Sequence, residues 1–440
     1  MDRHEPRIRV ETREELIYLL AEAAAIEHNL MCCYLYAAWS LKRDERDGLD
    51  ADAVPIVAGW RRAILAVAIE EMTHLTLAGN LTSAIGGAPH LSHPNFPILP
   101  GYHPSGVVVE LAPFSPAVLD HFIFLERPEG LAVDDSAEFV HGAAYHRTIR
   151  RGRLMPSAQD YLTVGHLYRS IRRGFHHLAR LHGEAALFVG DVRSQIGPAD
   201  AGLPGLMTIG SLEEADAAIE TIIEQGEGAP GHSENSHYNR FLAVKRAYEA
   251  LLLQKAGFAP AFPVARNPVM RPAADGHNRV HIDHPETAPV LDLANAIYAL
   301  MLRTLVQGFG RGDDDAGKRL MVGVAAELMA VLSPVAMHLA SLPASAHHPG
   351  VHAGMTFSML RDVARLPTSG EAQVIAERLT EMADHAALLF PPPHILQPVA
   401  GALQRLARRF DRPAEAPRAP ALPRVPVAPP PDVVVPAGTI

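Results

Sequence analysis

Residues 60–87, WRRAILAVAIEEMTHLTLAGNLTSAIGG, form one long apolar run with helical spacing. Its stripe reads Ile64, Val67, Glu71, His74, Ala78, Leu81, so a carboxylate and an imidazole sit where core residues belong. An ionised carboxylate in a dry core costs several kcal/mol, on the order of what a small domain has to spare, unless something compensates it. Glu71 therefore either reaches water or has a partner. A bound metal is one such partner, and the rest of the chain can be searched for its other ligands.

The surrounding pattern predicts an all-α protein. A first helix is expected from about Arg13 to Lys42 after the cap Thr12, with Leu16, Leu20, Ala23, Leu30 and Tyr34 on one face and Glu27 on the same face. The second runs from about Pro55 to Ala84 and stops at Gly86-Gly87. Residues 88–157 change character and read as a long connection, with a β-like run GVVVEL at 106–111, a short helix near 115–126 and a weak helical signal near 136–150. A third helix is expected from Ser157, another over 211–225 with Ser211 as cap, and a fourth from about Glu234 to Ala256. Two helices, a long crossover and two more helices is the layout of a ferritin-like four-helix bundle. It fills residues 1–256, with the insertion at about 88–157. A Pro-rich linker follows at 257–289, then a second helical region at 290–410 with helices near 290–309, 314–341, 370–389 and 394–409. The Pro-rich stretch 411–440 reads as a disordered tail.

Composition narrows the function. The chain has 440 residues, 48% of them apolar and 20% charged, with a net charge of −10, which argues against nucleic acid as a partner. The two cysteines, Cys32 and Cys33, are adjacent and point apart on a helix, so they read as small core residues of a protein in a reducing cytoplasm. Residues 16–39 are long enough to span a bilayer, but Glu22, Glu27 and His28 lie within them, and a buried bundle helix accounts for the run better than a membrane. The 24 histidines matter only where spacing organises them; HIDH at 281–284 and HHPGVH at 347–352 read as surface loops.

Di-metal carboxylate bundles take a Glu from each of two helices and a Glu-x-x-His from each of the other two. Residues three apart share a helix face, so one helix can offer carboxylate and imidazole to one ion. Glu27 is the single carboxylate of the first helix. Glu71 with His74 is the first Glu-x-x-His, and Glu234 with His237 the second. On the third helix the best-placed residue is His166, a ligand or equally a hydrogen-bonded core histidine. Glu224 and Glu227 are expected at the rim, and Glu70 on the solvent side. Hard oxygens with imidazoles suit iron, two ions in this layout, or manganese. Tyr34 reads as core, a turn or two from the metal.

Four stretches together resemble the ferritin-like domain related to the iminophenyl-pyruvate dimer synthases of violacein- and rebeccamycin-type indole pathways. They are AIEHNLMCCYLYAAWSLK, AIEEMTHLTLAGNLTSAIGGAPHL, VGHLYRSI and IIEQGEGAPGHSENSHYNRF. VLSPVAMHLASLP and HAGMTFSML resemble that family's C-terminal helical portion, so the likeness covers about residues 8–390. The resemblance implies a di-metal site at Glu27, Glu71, His74, Glu234 and His237. It departs at His166, where the family usually has Glu, which implies a site poorer in carboxylate or one weak metal position.

The function expected from this is a metal-dependent, di-iron oxidoreductase of secondary-metabolism type. Its partners would be dioxygen and a small amine or amino-acid-derived imine, with homo-oligomerisation left open. The alternatives are a non-catalytic metal-binding or storage protein and a metal-free bundle that couples imines or binds a partner. There is no strand-to-helix Gly-rich loop of the kind that cradles phosphate.

Overall fold

The computed structural model of the chain describes residues 5–99, 101–104, 107–139, 145–147, 154–228, 234–272, 279–359 and 364–410. Among these residues there are twelve α-helices: α1 (Arg13–Ser40), α2 (Val54–Ala84), α3 (Pro116–Leu125), α4 (Val164–His182), α5 (Glu184–Leu187), α6 (Pro198–Ala201), α7 (Leu212–Gly226), α8 (His237–Gln254), α9 (Ala288–Gly308), α10 (Asp315–Leu339), α11 (Glu371–Leu389) and α12 (Pro398–Ala407). The only strands among them are Pro268–Val269 and Val280–His281, paired in parallel.

α1 starts where its local chemistry says it should. Thr12 accepts the Glu15 N–H while the Glu15 side chain reaches back to the Thr12 N–H, a capping box that satisfies two orphan donors. From Ala23 to Ser40 every residue is buried. An apolar helix with no solvent face must be wrapped on all sides, and α1 is the axis of the molecule. Its membrane-like length and apolarity, shared with α9 and α10, reflect this: 78% of its apolar window is buried within the protein.

α2 lies along α1, α3 packs on α8, and α4 leans on both α1 and α7. The four-helix bundle is thus α1, α2, α3 and α8. The long crossover is the segment after α2, and α4 to α7 are inserted between the third and fourth bundle helices. The short helix expected near 115–126 therefore takes the place that the sequence suggested for the helix at Ser157. It is started by Ser115, which accepts the Val118 N–H, and by Pro116, whose missing N–H costs nothing there. α4 begins at Val164 rather than Ser157, because Thr163 is the cap. α8 begins at His237 rather than Glu234, because Ser236 accepts the Asn239 N–H. Residues 107–111 form no strand. The weak helical signal near 136–150 falls partly, and the Pro-rich tail wholly, outside the described residues.

The second helical region is built on α9 and α10 side by side, with α11 and α12 paired beside them. It is joined to the first by backbone bonds around the end of α1: Lys42 N–H to the Pro260 carbonyl and Phe262 N–H to the Ser40 carbonyl, both 2.9 Å. Apolar side chains of both regions form one continuous core.

Candidate metal centre

Four bundle helices converge on a buried polar cluster. α1 presents Glu27, α2 presents Glu71 and His74, the residue that ends α3 is Glu126, and α8 opens with His237. All five are at most 7% exposed. The two oxygens of Glu71 face different ways. Oε2 lies 3.1 Å from His74 Nδ1, which is also 3.4 Å from Glu27 Oε2. Oε1 lies 2.9 Å from His237 Nδ1, which is 3.6 Å from Glu126 Oε1. The donors fall into two triads, Glu27–Glu71–His74 and Glu71–Glu126–His237, each with its ligand atoms within 4.8 Å of one another. Glu71 belongs to both.

The far nitrogens of the imidazoles are also held. His74 Nε2 is 2.9 Å from the Gln225 side-chain oxygen, and His237 Nε2 is 2.9 Å from Glu70 Oε2. Both partners are acceptors, so each Nε2 carries its hydrogen and each Nδ1 is left to face the cluster. Glu70, expected on the solvent side, is half-buried and orients His237 while pairing with Arg240. The Tyr34 hydroxyl donates to Glu126.

The electrostatics are those of carboxylates crowded without a fixed cation. Burial, and then the Glu71 charge, push the Glu27 carboxyl up to about 8. Burial alone would favour neutral histidines, but the Glu71 and Glu27 carboxylates hold His74 up at about 10, and Glu71 with Glu126 raises His237 well above its usual range. The two imidazoles in turn outweigh burial at Glu71 and hold it well below the ordinary carboxylate range. No Lys or Arg is ion-paired to Glu27, Glu71 or Glu126 among the described residues. Glu27 Oε1 is buried with no hydrogen-bond partner, and His237 Nδ1 has only the Glu71 and Glu126 carboxylates before it. An unsatisfied carboxylate oxygen is costly in a core, and an ion held by its triad would satisfy it. Three carboxylates and two imidazoles in two triads fit two ions of the iron or manganese kind.

Beside the cluster is a small cavity of about 20 Å³, room for about one water, partly open to solvent. Glu27, Glu71 and His74 form its polar side, and Leu30, Leu125 and Ile222 are among its apolar walls. The Tyr168 hydroxyl faces this region, buried and without a hydrogen-bond partner.

Glu234, read from the sequence as a ligand, and His166, read as a ligand or a core histidine, both stand elsewhere. Glu234 is exposed in the turn before α8, outside both triads. His166 is spent on protein partners, with Nε2 2.9 Å from the Pro6 carbonyl and Nδ1 3.2 Å from Glu129. VGHLYRSI has a structural reading instead: a Cβ at Gly165 would run into the Glu227 carboxylate, and His166 fastens the N-terminal segment. Of the two rim carboxylates, Glu227 lines the cavity and pairs with Arg169, whereas Glu224 is exposed. The candidate ligand that sequence reasoning missed is Glu126. Its signal was a lone Glu closing the apolar run FIFLE, just before Arg127-Pro128.

Comparisons with known proteins agree with this architecture. The chain is 27% identical over 418 residues to dichlorochromopyrrolate synthase of Lentzea aerocolonigenes, a match covering 86% of this chain and 39% of that protein. It is 24% identical over 374 residues to 2-imino-3-(indol-3-yl)propanoate dimerase of Chromobacterium violaceum, covering 76% of this chain and 33% of that one. The chain thus spans only about two-fifths or less of the length of these curated relatives. A ferritin-like protein of Caulobacter vibrioides aligns with a TM-score of 0.48 at 19% identity, over 79% of this chain and 99% of its own. The Ferritin-like family model matches residues 20–246, the span from α1 to α8 that supplies every ligand of the cluster, and the chain belongs to the Ferritin-like family.

Proposed function

We propose that the chain is a metal-dependent oxidoreductase with a di-iron centre, acting on a small amine or an amino-acid-derived imine. One observation carries the reading: Glu71 turns its two oxygens to two separate Glu/His sets. Glu27 and His74 would hold one ion, Glu126 and His237 the other, and Glu71 would bridge them. Iron there would supply redox chemistry with dioxygen, and manganese is the alternative that the donor set accepts.

The residues around the cluster have defined tasks in this scheme. Gln225 and Glu70 fix the imidazoles, and Tyr34 fixes Glu126, so the donors are aimed before anything binds. Leu30, Leu125 and Ile222 exclude water from the side where a substrate would lie. Tyr168 offers the one hydroxyl in the cavity wall, and burial, together with Glu27, raises it well above its usual range, so it keeps its proton and can donate it. The imine side of the proposal draws on the two relatives, one a synthase of a chromopyrrolate and the other a dimerase of an imino acid.

The test is oxygen consumption by iron-loaded protein, offered arylpyruvate-derived imines generated in place and small amines. Uptake that depends on substrate and disappears in Glu71→Ala is the expected result. Imine consumption without oxygen uptake would move the protein to the coupling reading, and bound iron with neither activity would move it to storage.

A further inference from the structure

A second group of potential ligands hangs from α1, one residue along from Glu27. His28 and Cys32 are four apart and share a helix face. His93 comes from the crossover after α2, and Tyr298 from α9. All four are at most 6% exposed. Their donor atoms point at one place: the Tyr298 oxygen is 2.7 Å from His28 Nε2, 2.7 Å from His93 Nε2 and 3.7 Å from Cys32 Sγ. The two imidazoles and the thiol offer donors within 4.8 Å of one another.

Hydrogen counting sets which nitrogens carry hydrogens in this group. His93 Nδ1 lies 2.7 Å from the Pro94 carbonyl, a pure acceptor, so Nδ1 carries the ring hydrogen and Nε2 turns a lone pair inward. The phenol has a single hydrogen to give. With the phenol donating to His93 Nε2, His28 Nε2–H can donate to the phenol oxygen, so the metal-free network closes and an ion would have to compete with it. Burial holds His93 down to about 4, so its imidazole is neutral and available as a ligand.

We propose that His28, Cys32 and His93 form a second buried metal site that takes one copper(I) ion, with the Tyr298 oxygen as a neutral neighbour. The donor set is soft and nitrogen-rich, and a thiolate with imidazoles selects copper(I) or zinc over iron and manganese. Charge decides between the first two. Neither triad's ligand set includes Cys32, and no carboxylate belongs to this group. A monovalent ion with one thiolate is neutral, whereas a divalent ion would leave a net positive charge in a dry core. The Tyr298 oxygen stands at the point the donors face, so binding an ion requires the phenol to move aside. On binding, the Cys32 S–H gives its proton to the buffer as the copper–sulfur bond forms, and nothing is oxidised or reduced. Cys33 is a built-in control, because its Sγ lies 3.3 Å from the Glu110 carbonyl and belongs to neither set.

The experiment is an anaerobic titration of the full chain with copper(I) against bicinchoninate, a coloured copper(I) chelator, repeated in the Glu71→Ala background to silence the carboxylate centre. Wild type, Glu71→Ala and Cys33→Ser are expected to withdraw one equivalent each. Cys32→Ser and His93→Gln should hold copper at least about 100-fold more weakly, beyond what loss of an outer-sphere contact gives. His93→Gln alters a loop residue rather than α1, so it carries the test if Cys32→Ser loses its helical circular dichroism. Equal withdrawal by all variants, no withdrawal by wild type, or retention of zinc(II) with no copper(I) would each overturn the proposal.

Discussion

Buried carboxylates are handled in two ways in this molecule. In the second helical region Glu371, at 5% exposure, is met by Arg311 and by the Gln307 amide, and Arg311 is also paired with Asp314 at 2.7 Å. Glu110 with Arg266 at 2.7 Å and Glu22 with Arg147 at 2.8 Å follow the same rule. In the bundle, Glu27, Glu71 and Glu126 are brought together with imidazoles and the Tyr34 hydroxyl but no guanidinium, and Glu27 Oε1 remains unsatisfied. A fixed guanidinium closes a site, because its hydrogens fill the carboxylate's lone pairs. Imidazoles with their far nitrogens tied back leave the near side open, which is what an ion requires.

The strongest way to break this contrast is at Arg311. Arg311→Ala strands a buried carboxylate and should cost about 3–5 kcal/mol in urea unfolding, with no dependence on chelator. A loss under about 1 kcal/mol would mean that Glu371 does not rely on its arginine. The bundle should behave oppositely. Stripping ions from wild type should lower its stability by about 2.7 kcal/mol relative to protein with free iron at about a hundred times the dissociation constant, and the same treatment should leave Glu71→Ala unmoved.

A third solution in the core is an imidazole kept neutral, and pH exposes it. Burial, and then the Arg147 charge, lower His103 to about 3, and its Nε2 faces the Asn29 amide at 3.0 Å. A histidine depressed in this way contributes stability that is fully present above its unfolded value near 6.5 and is lost as pH falls towards 3. The slope in that window should be about 1.4 kcal/mol per pH unit, and His103→Gln should flatten it by that amount. The smallest effect is expected at Glu234. Glu234→Ala removes an exposed side chain and should change stability by less than about 0.5 kcal/mol, with metal content intact.

The two halves of the cluster differed in how plainly the sequence announced them. Glu71 and His74 interrupt a clean apolar stripe, so a 3.6-residue period exposes them, and Glu27 falls on the face that meets them. Glu126 gives no such pattern. It ends a ten-residue helix, and its place in the cluster follows from α3 packing on α8, more than a hundred residues away in the chain. Missing it made a longer helix carrying His166 in its first turn look like the third bundle member. Glu234 falls outside the cluster because Ser236 caps α8, which puts the helix start past the glutamate. The bundle layout itself was legible, because α1 and α2 are long, apolar and ended by clear signals.

The most direct measurement is metal content by mass spectrometry on protein produced with iron and manganese available, comparing wild type with Glu71→Ala and Glu126→Ala. The account predicts about two ions per chain in wild type, near none without the shared Glu71, and about one without Glu126, which serves a single triad. Wild-type content in Glu71→Ala, or no iron or manganese in wild type, would contradict it.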